Sequence, residues 1–207
     1  MKHNWRNALV GAAATLVTTL AMTGSASAGL VVKTTTDCPQ QPLSQPFAPW
    51  GDNASYQLVP GGAAESSAGW KLTGSARVVS GNEPWKVHGS GDRSSIRVPS
   101  GSSATTAPIC VGLGDPTVRF FAKKNSGLLS TLAVFAVLRP SLGGELAIPV
   151  GVVLGGGSWK PSLPFLFLGN LLPLVPGQYT PVSFRFTPVL GGDWQIDDVY
   201  VDPMRSR

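Results

Sequence analysis

The sequence predicts an all-β fold, an antiparallel β-sandwich of the jelly-roll kind, and three observations lead there. The 207 residues include 25 glycines and 18 prolines and are only 13% charged, a composition with few of the Glu and Lys that fill solvent-facing helices. Short runs of alternating apolar and polar residues recur about every 8 to 15 residues with turn residues between them. No long amphipathic pattern and no strand-helix-strand rhythm interrupts them.

In chain order, residues 1–28 read as a cleavable secretory signal. Lys2 and Arg6 form its positive start, Ala8 to Met22 its apolar run, and Ala26-Ser-Ala28 the small-residue cleavage pattern before Gly29. The run is shorter than the ~20 residues a membrane-spanning helix needs, and no cysteine follows the cut to accept a lipid, so the mature chain is expected to be secreted and free of the membrane. Residues 29–50 read as an irregular segment, and 51–207 as one sandwich domain, the mature length suiting a single core. Export makes pairing of Cys38 with Cys110, the only cysteines, the default, and that bridge would tie the irregular segment to the sandwich.

The strands are expected at 70–79, a single run around Gly74, then at 94–98, 103–111 and 117–122. Leu113-Gly-Asp-Pro116 marks the turn before the last of these. Residues 128–138 are continuously apolar, and Val and Phe in their second half favour a central strand over a helix. A Gly143-Gly144 turn leads into a further run at 145–154. The apolar stretch 158–176 is broken by four prolines and predicts a short helical turn or a packed loop at 165–172. Strands at 181–188 and 194–201 close the chain. Such a strand number favours a jelly roll over an immunoglobulin-type sandwich, whose tyrosine corner is missing after Cys38, Trp70 and Cys110.

The formal charge is +5, of which Lys2 and Arg6 contribute two, and Lys123-Lys124 is the only adjacent basic pair past the signal. No stripe able to follow a phosphate backbone results, so nucleic acid is not an expected partner.

Gly61-Gly-Ala-Ala-Glu65 followed by Gly69-Trp70 resembles the opening of jelly-roll galactose-binding and carbohydrate-binding modules. Trp194-Gln-Ile-Asp-Asp-Val-Tyr-Val201 is similar to their last strand. Gly81-Asn-Glu-Pro-Trp85, Cys110-Val-Gly112 and Gly192-Asp193 together resemble a group of exported actinobacterial proteins. The module resemblance implies that an acid near the first strand and one on the last can converge on a structural calcium, with Glu65 and Asp197 or Asp198 at the matching positions. Strict alternation would let only one of the two aspartates point inward. No other cofactor is implied.

A glycan site needs flat aromatic faces ringed by polar groups. Trp85 and Trp159, each beside Gly or Pro or in a loop, are the aromatic candidates, with Asn82, Glu83, His88 and Asp92 close to the first; Trp70 and Trp194 read as core. Catalysis has little support: Glu65, Glu83 and Glu145 form no evident acid pair, and no nucleophile elbow, nucleotide loop or His/Cys metal cluster occurs. The expectation is therefore a monomeric, non-catalytic module that binds a glycan or cell-surface component. A structural or protein-interaction module using 158–176 is the alternative, and a hydrolase ranks behind both.

Overall fold

The computed structural model describes residues 35, 38, 42–112, 117–167 and 179–202. The signal segment, the 113–116 turn and the second half of the apolar stretch lie outside the described residues. No described helix is long and apolar enough to cross a membrane.

The described chain is all-β, two antiparallel sheets stacked as a sandwich, with one short 3-10 turn at Ala48–Trp50. In chain order the strands are β1 (Leu43–Ser44), β2 (Tyr56–Leu58), β3 (Trp70–Thr73), β4 (Arg77–Ser80), β5 (Ser94–Pro99), β6 (Ser103–Thr106) and β7 (Ile109–Val111). They continue with β8 (Thr117–Ser126), β9 (Thr131–Leu138), β10 (Leu146–Val153), β11 (Lys160–Pro161), β12 (Phe165–Leu166), β13 (Thr180–Val189) and β14 (Asp193–Asp202).

The first sheet is built around β14. Strand β8 runs along one side of it; on the other side β5 pairs with Asp193 to Ile196 and β2 takes over at Tyr200. Strands β4 and β1 extend β5 and β2, and β11 and β12 add short pairings to β8. The second sheet runs β10-β9-β13-β6-β3, with β7 also on β13.

Residues 70–79 are not one strand. Trp70–Thr73 pairs with β6 in the second sheet and Arg77–Ser80 with β5 in the first. Gly74 makes the crossing, because its φ of +64° suits glycine and a Cβ there would meet Ser102 Oγ at 2.7 Å. The 165–172 region likewise departs from a helical turn where it is described, since Phe165 and Leu166 pair with Val118 and Thr117 of β8.

The core lies between the sheets. Phe120 of β8 meets Phe186 of β13 edge to face at 4.8 Å, and Phe184, Ile96, Leu132, Val134 and Trp194 fill the rest. Trp194 donates its indole N–H to Ser130 Oγ at 2.9 Å, so its one polar atom is satisfied inside. A second apolar cluster of Phe47, Tyr56, Phe121 and Tyr200 lies on the outer face of the first sheet. The N-terminal segment holds it there: Arg119 lies 4.0 Å over the Phe47 ring and pairs with Asp52, which accepts the Tyr56 hydroxyl at 2.6 Å. Cys38 is bonded to Cys110, as the cysteine count predicts, and fastens the same segment to β7.

Candidate functional site

Five of the candidate residues, Glu83, His88, Asp92, Asp197 and Asp198, meet at an irregularity in β14. Ile196 and Val199 both face the core although three positions separate them, so period-two alternation fails between them. The pairing register with β8 shifts between Asp197 and Tyr200, and Asp198 takes a left-handed φ of +48°. This bulge falls where β5 ends and β2 begins beside β14, leaving a break in the sheet edge. Both aspartates are consequently 0% exposed; the inference that only one could be buried assumed an unbroken strand.

The loop between β4 and β5 fills the break. Glu83, also 0% exposed, accepts the amides of Trp85 and Val87 at 2.6 Å each and thereby shapes its own loop. Its backbone amide donates to Asp197 Oδ2 at 3.0 Å, and the Asp198 amide donates to Asp197 Oδ1 at 3.0 Å. Asp92 is buried and pairs with His88 Nδ1 at 2.9 Å. Ligand atoms of His88, Asp92 and Asp198 lie within 4.8 Å of one another.

Four carboxylates thus occupy one largely dry volume. Burial, reinforced by the charges of Glu83 and Asp92, pushes the Asp197 carboxyl up to about 8 in spite of its two amide hydrogen bonds. Burial and then the Asp197, Glu83 and Asp92 charges push Asp198 up to about 9. Both Asp198 carboxylate oxygens are buried without a hydrogen-bond partner, an expensive state unless a proton or a cation is supplied. The donors are hard oxygens, which fit a calcium-type dication, with His88 at the exposed rim.

Glu65, Trp85 and Trp159 lie outside this cluster. Glu65 is exposed, and its Oε1 accepts the Arg93 and Ser94 amides at 2.7 and 2.8 Å; it is not among the three grouped ligands. Asn82 donates to the Glu83 carbonyl at 2.9 Å. Trp85 is 46% exposed and leans edge-on against Trp50 at 4.9 Å and over Phe121 at 5.7 Å. Trp159 is half-buried against the Phe121 cluster, with the Lys123 ammonium 5.5 Å over its ring. Asn82, Glu83, His88 and Asp92 therefore serve the loop and the carboxylate cluster, whereas the two tryptophans pack on the outer face of the first sheet.

The second sheet carries a polar row and groove that sequence reading passes over. Its outer face holds a cross-strand row: Lys71 opposite Thr105, Thr105 opposite Arg185, Arg185 opposite Phe135, and Phe135 opposite Pro149. Glu145 bridges two members of the row, pairing with Lys71 at 3.3 Å and with Arg185. Those two cations hold the Glu145 carboxyl below the usual range, chiefly through the Arg185 hydrogen bond. A groove of about 440 Å³ lies over the Lys71-Thr105-Arg185 part of the row, lined also by Thr73, Ser103 and Thr187, and Phe135 stands next to Arg185 at its end.

No protein-family model matches the sequence, and no curated relative does. Solved structures do match. A Clostridium thermocellum endo-1,4-β-D-xylanase 10B, comprising a CBM22-1 and a GH10 module and complexed with xylohexaose, superposes with a TM-score of 0.53 at 14% identity. That alignment covers 73% of this chain, which spans only 29% of the xylanase. The likeness supports the jelly-roll form of the antiparallel sandwich. The C-terminal family 22 carbohydrate-binding module of the same xylanase gives 0.48 at 16% identity over 69% of this chain and 89% of its own. The CBM22-1 xylan-binding domain of Paenibacillus barcinonensis Xyn10C gives 0.46 at 11% over 70% and 93%. At such identities the likeness concerns the fold.

Proposed function

We propose that this chain is a secreted, non-catalytic, carbohydrate-binding-like module that holds a neutral glycan in the groove on the outer face of its second sheet. The row Lys71-Thr105-Arg185-Phe135 carries this reading. Phe135 offers an apolar ring to one face of a pyranose, while the Thr73, Ser103, Thr105 and Thr187 hydroxyls, the Arg185 guanidinium and the Glu145 carboxylate supply donors and acceptors for sugar hydroxyls. The ion pairs hold Arg185 and Glu145 in place before a ligand arrives, which lowers the ordering cost of binding.

Absence of catalysis is supported by the placement of the acids. Glu83 is sealed in its loop on the first sheet, and Glu145 sits on the outer face of the second, so the two lie on opposite faces of the sandwich and cannot flank one glycosidic bond. Secretion is supported by the signal-like N-terminus and by the Cys38–Cys110 disulfide. A calcium ion held by Asp92 and Asp198, with Asp197 beside them, would have a structural role in closing the break beside β14.

The test is a glycan array followed by titration of any hit. Phe135→Ala and Arg185→Gln should each weaken binding about tenfold, the scale of losing one well-placed contact, with the circular dichroism spectrum unchanged. An array with no binder removes the reading. A protein-interaction role is favoured by a different feature: exposed Leu154, Leu163 and Leu166 lie beside an apolar pocket of about 280 Å³ bounded by Val153, Pro161 and Phe165. Size-exclusion chromatography showing a strict monomer that retains no partner would count against that role.

A further inference from the structure

The outer face of the first sheet is only half covered. At its Phe121 end the aromatic cluster and the N-terminal segment close it. Beyond them lies a second cross-strand row, with Arg77 exposed, Arg97 and Lys123 half-buried and Gln195 buried: Arg77 opposite Arg97, Arg97 opposite Gln195, and Gln195 opposite Lys123. Like charges directly opposite each other on a sheet destabilise it, yet three of these four residues are cations. Among the described residues one acid pairs with them, Asp193, which binds the Arg97 guanidinium (Nε to Oδ2, 2.7 Å). Arg77 makes a hydrogen bond to the Ser75 carbonyl at 3.2 Å, and the Lys123 ammonium lies over the Trp159 ring. An open depression of about 350 Å³, lined by Val79, Ser80, Arg97, Asn125 and Gln195, lies over the middle of the row, between Arg77 and Lys123.

We infer that this row is a second binding surface, for an anionic polysaccharide, separate from the groove of the second sheet. The excess of cations provides the charge complementarity. Four adjacent strands span about 14 Å at ordinary strand spacing, so the cations are distributed along a line that an extended, repeating anion can follow. A guanidinium can grip a carboxylate or sulfate with two parallel hydrogen bonds. The exposed Asn125 amide suits a hydroxyl between the charged groups, Gln195 holds its place through its Nε2 hydrogen bond to Ser95 Oγ at 3.0 Å, and Trp159 ends the row with an aromatic face. Binding removes the Arg77 and Arg97 repulsion, so what burdens the free protein contributes to affinity for the ligand.

Affinity electrophoresis of the full chain tests this with three immobilised polymers: a polyuronate, a sulfated polysaccharide and a neutral xylan. The acidic polymers should retard the protein, with retardation declining as salt shortens the screening length. The double variant Arg77→Gln/Lys123→Gln should weaken that retardation about tenfold, as expected for two lost charge-assisted contacts. Phe135→Ala, which lies on the other sheet, should leave it unchanged. Response to the polyuronate alone assigns the anion as carboxylate; response to the sulfated polymer alone assigns it as sulfate. Tryptophan emission should shift on binding as Lys123 leaves the Trp159 ring, and Trp159→Phe should abolish the shift. Failure of both acidic polymers to bind, undiminished binding by the double variant, or equal competition by duplex DNA would overturn the inference. None of these outcomes bears on neutral-glycan binding in the second-sheet groove.

Discussion

At Asp198 a left-handed backbone, full burial and a carboxylate without a donor coincide, and each alone costs free energy. Their coincidence makes the metal-free protein sensitive to pH in a definite direction. The folded-state values of about 8 and 9 for Asp197 and Asp198 lie above the ordinary 3.8, so between pH 4 and 9 the folded state holds protons the unfolded chain releases. Metal-free stability is therefore greatest at the acidic end of that window and is lost as pH rises through the folded values. Thermal melts in chelator should show Tm falling from pH 5 to pH 9. Added calcium should raise Tm most at the alkaline end by mass action. Asp198→Asn should flatten the chelator profile and lose most of the calcium gain; a flat profile in the unmodified protein would refute the assigned environment.

Among the elements, β14 matters most because it serves three neighbours. Its bulge turns one strand into two half-strands, the first paired with β5 and the second with β2, and opens the break that the Glu83 loop enters. The N-terminal segment is the opposite case: β1 is two residues long, and Phe47, the Arg119 pair with Asp52 and the disulfide hold the segment in place. With 72 positions between Cys38 and Cys110, a Cys38→Ser/Cys110→Ser variant should lose roughly 4 kcal/mol in the chain-entropy account. Denaturant unfolding would measure it, and a loss near zero would mean that packing alone secures the segment. Part of this was legible in the sequence. The bulge was not, because Asp-Asp reads equally well as one inward and one outward residue until the partners of each half are known.

For the whole molecule, the two sheets are joined through an aromatic core in which Phe120 of one meets Phe186 of the other. Phe186→Ala should cost about 3 to 5 kcal/mol. The denaturant midpoint should fall with its slope unchanged, since both sheets unfold together as one cooperative unit. The sandwich also keeps its outer faces apart. A hydroxyl-rich groove with Phe135 beside it lies on the second sheet, and a cationic row ended by a tryptophan lies on the first. Ligands on the two faces share no side chain, so their affinities should be independent.

The sequence by itself determined the all-β class, the positions of most strands and the disulfide, and it singled out the Asp197-Asp198 pair, which it matched with Glu65, whereas Glu83 and Asp92 are the acids beside that pair. Those are local or pairwise properties: alternation, turn residues, two cysteines, an Asp-Asp pair. Tertiary structure decided which residues share a face. Gly74 sends one apparent strand into two sheets, the β14 bulge turns both aspartates inward toward Glu83 and Asp92, and register alone assembles Lys71, Thr105, Arg185 and Phe135 from four strands. None of these four carries a motif of its own: Lys71, Thr105 and Arg185 are outward members of their strands, and Phe135 lies in a continuously apolar run. Only the hydrogen-bonded register, set by the burial of their inward neighbours, brings them side by side.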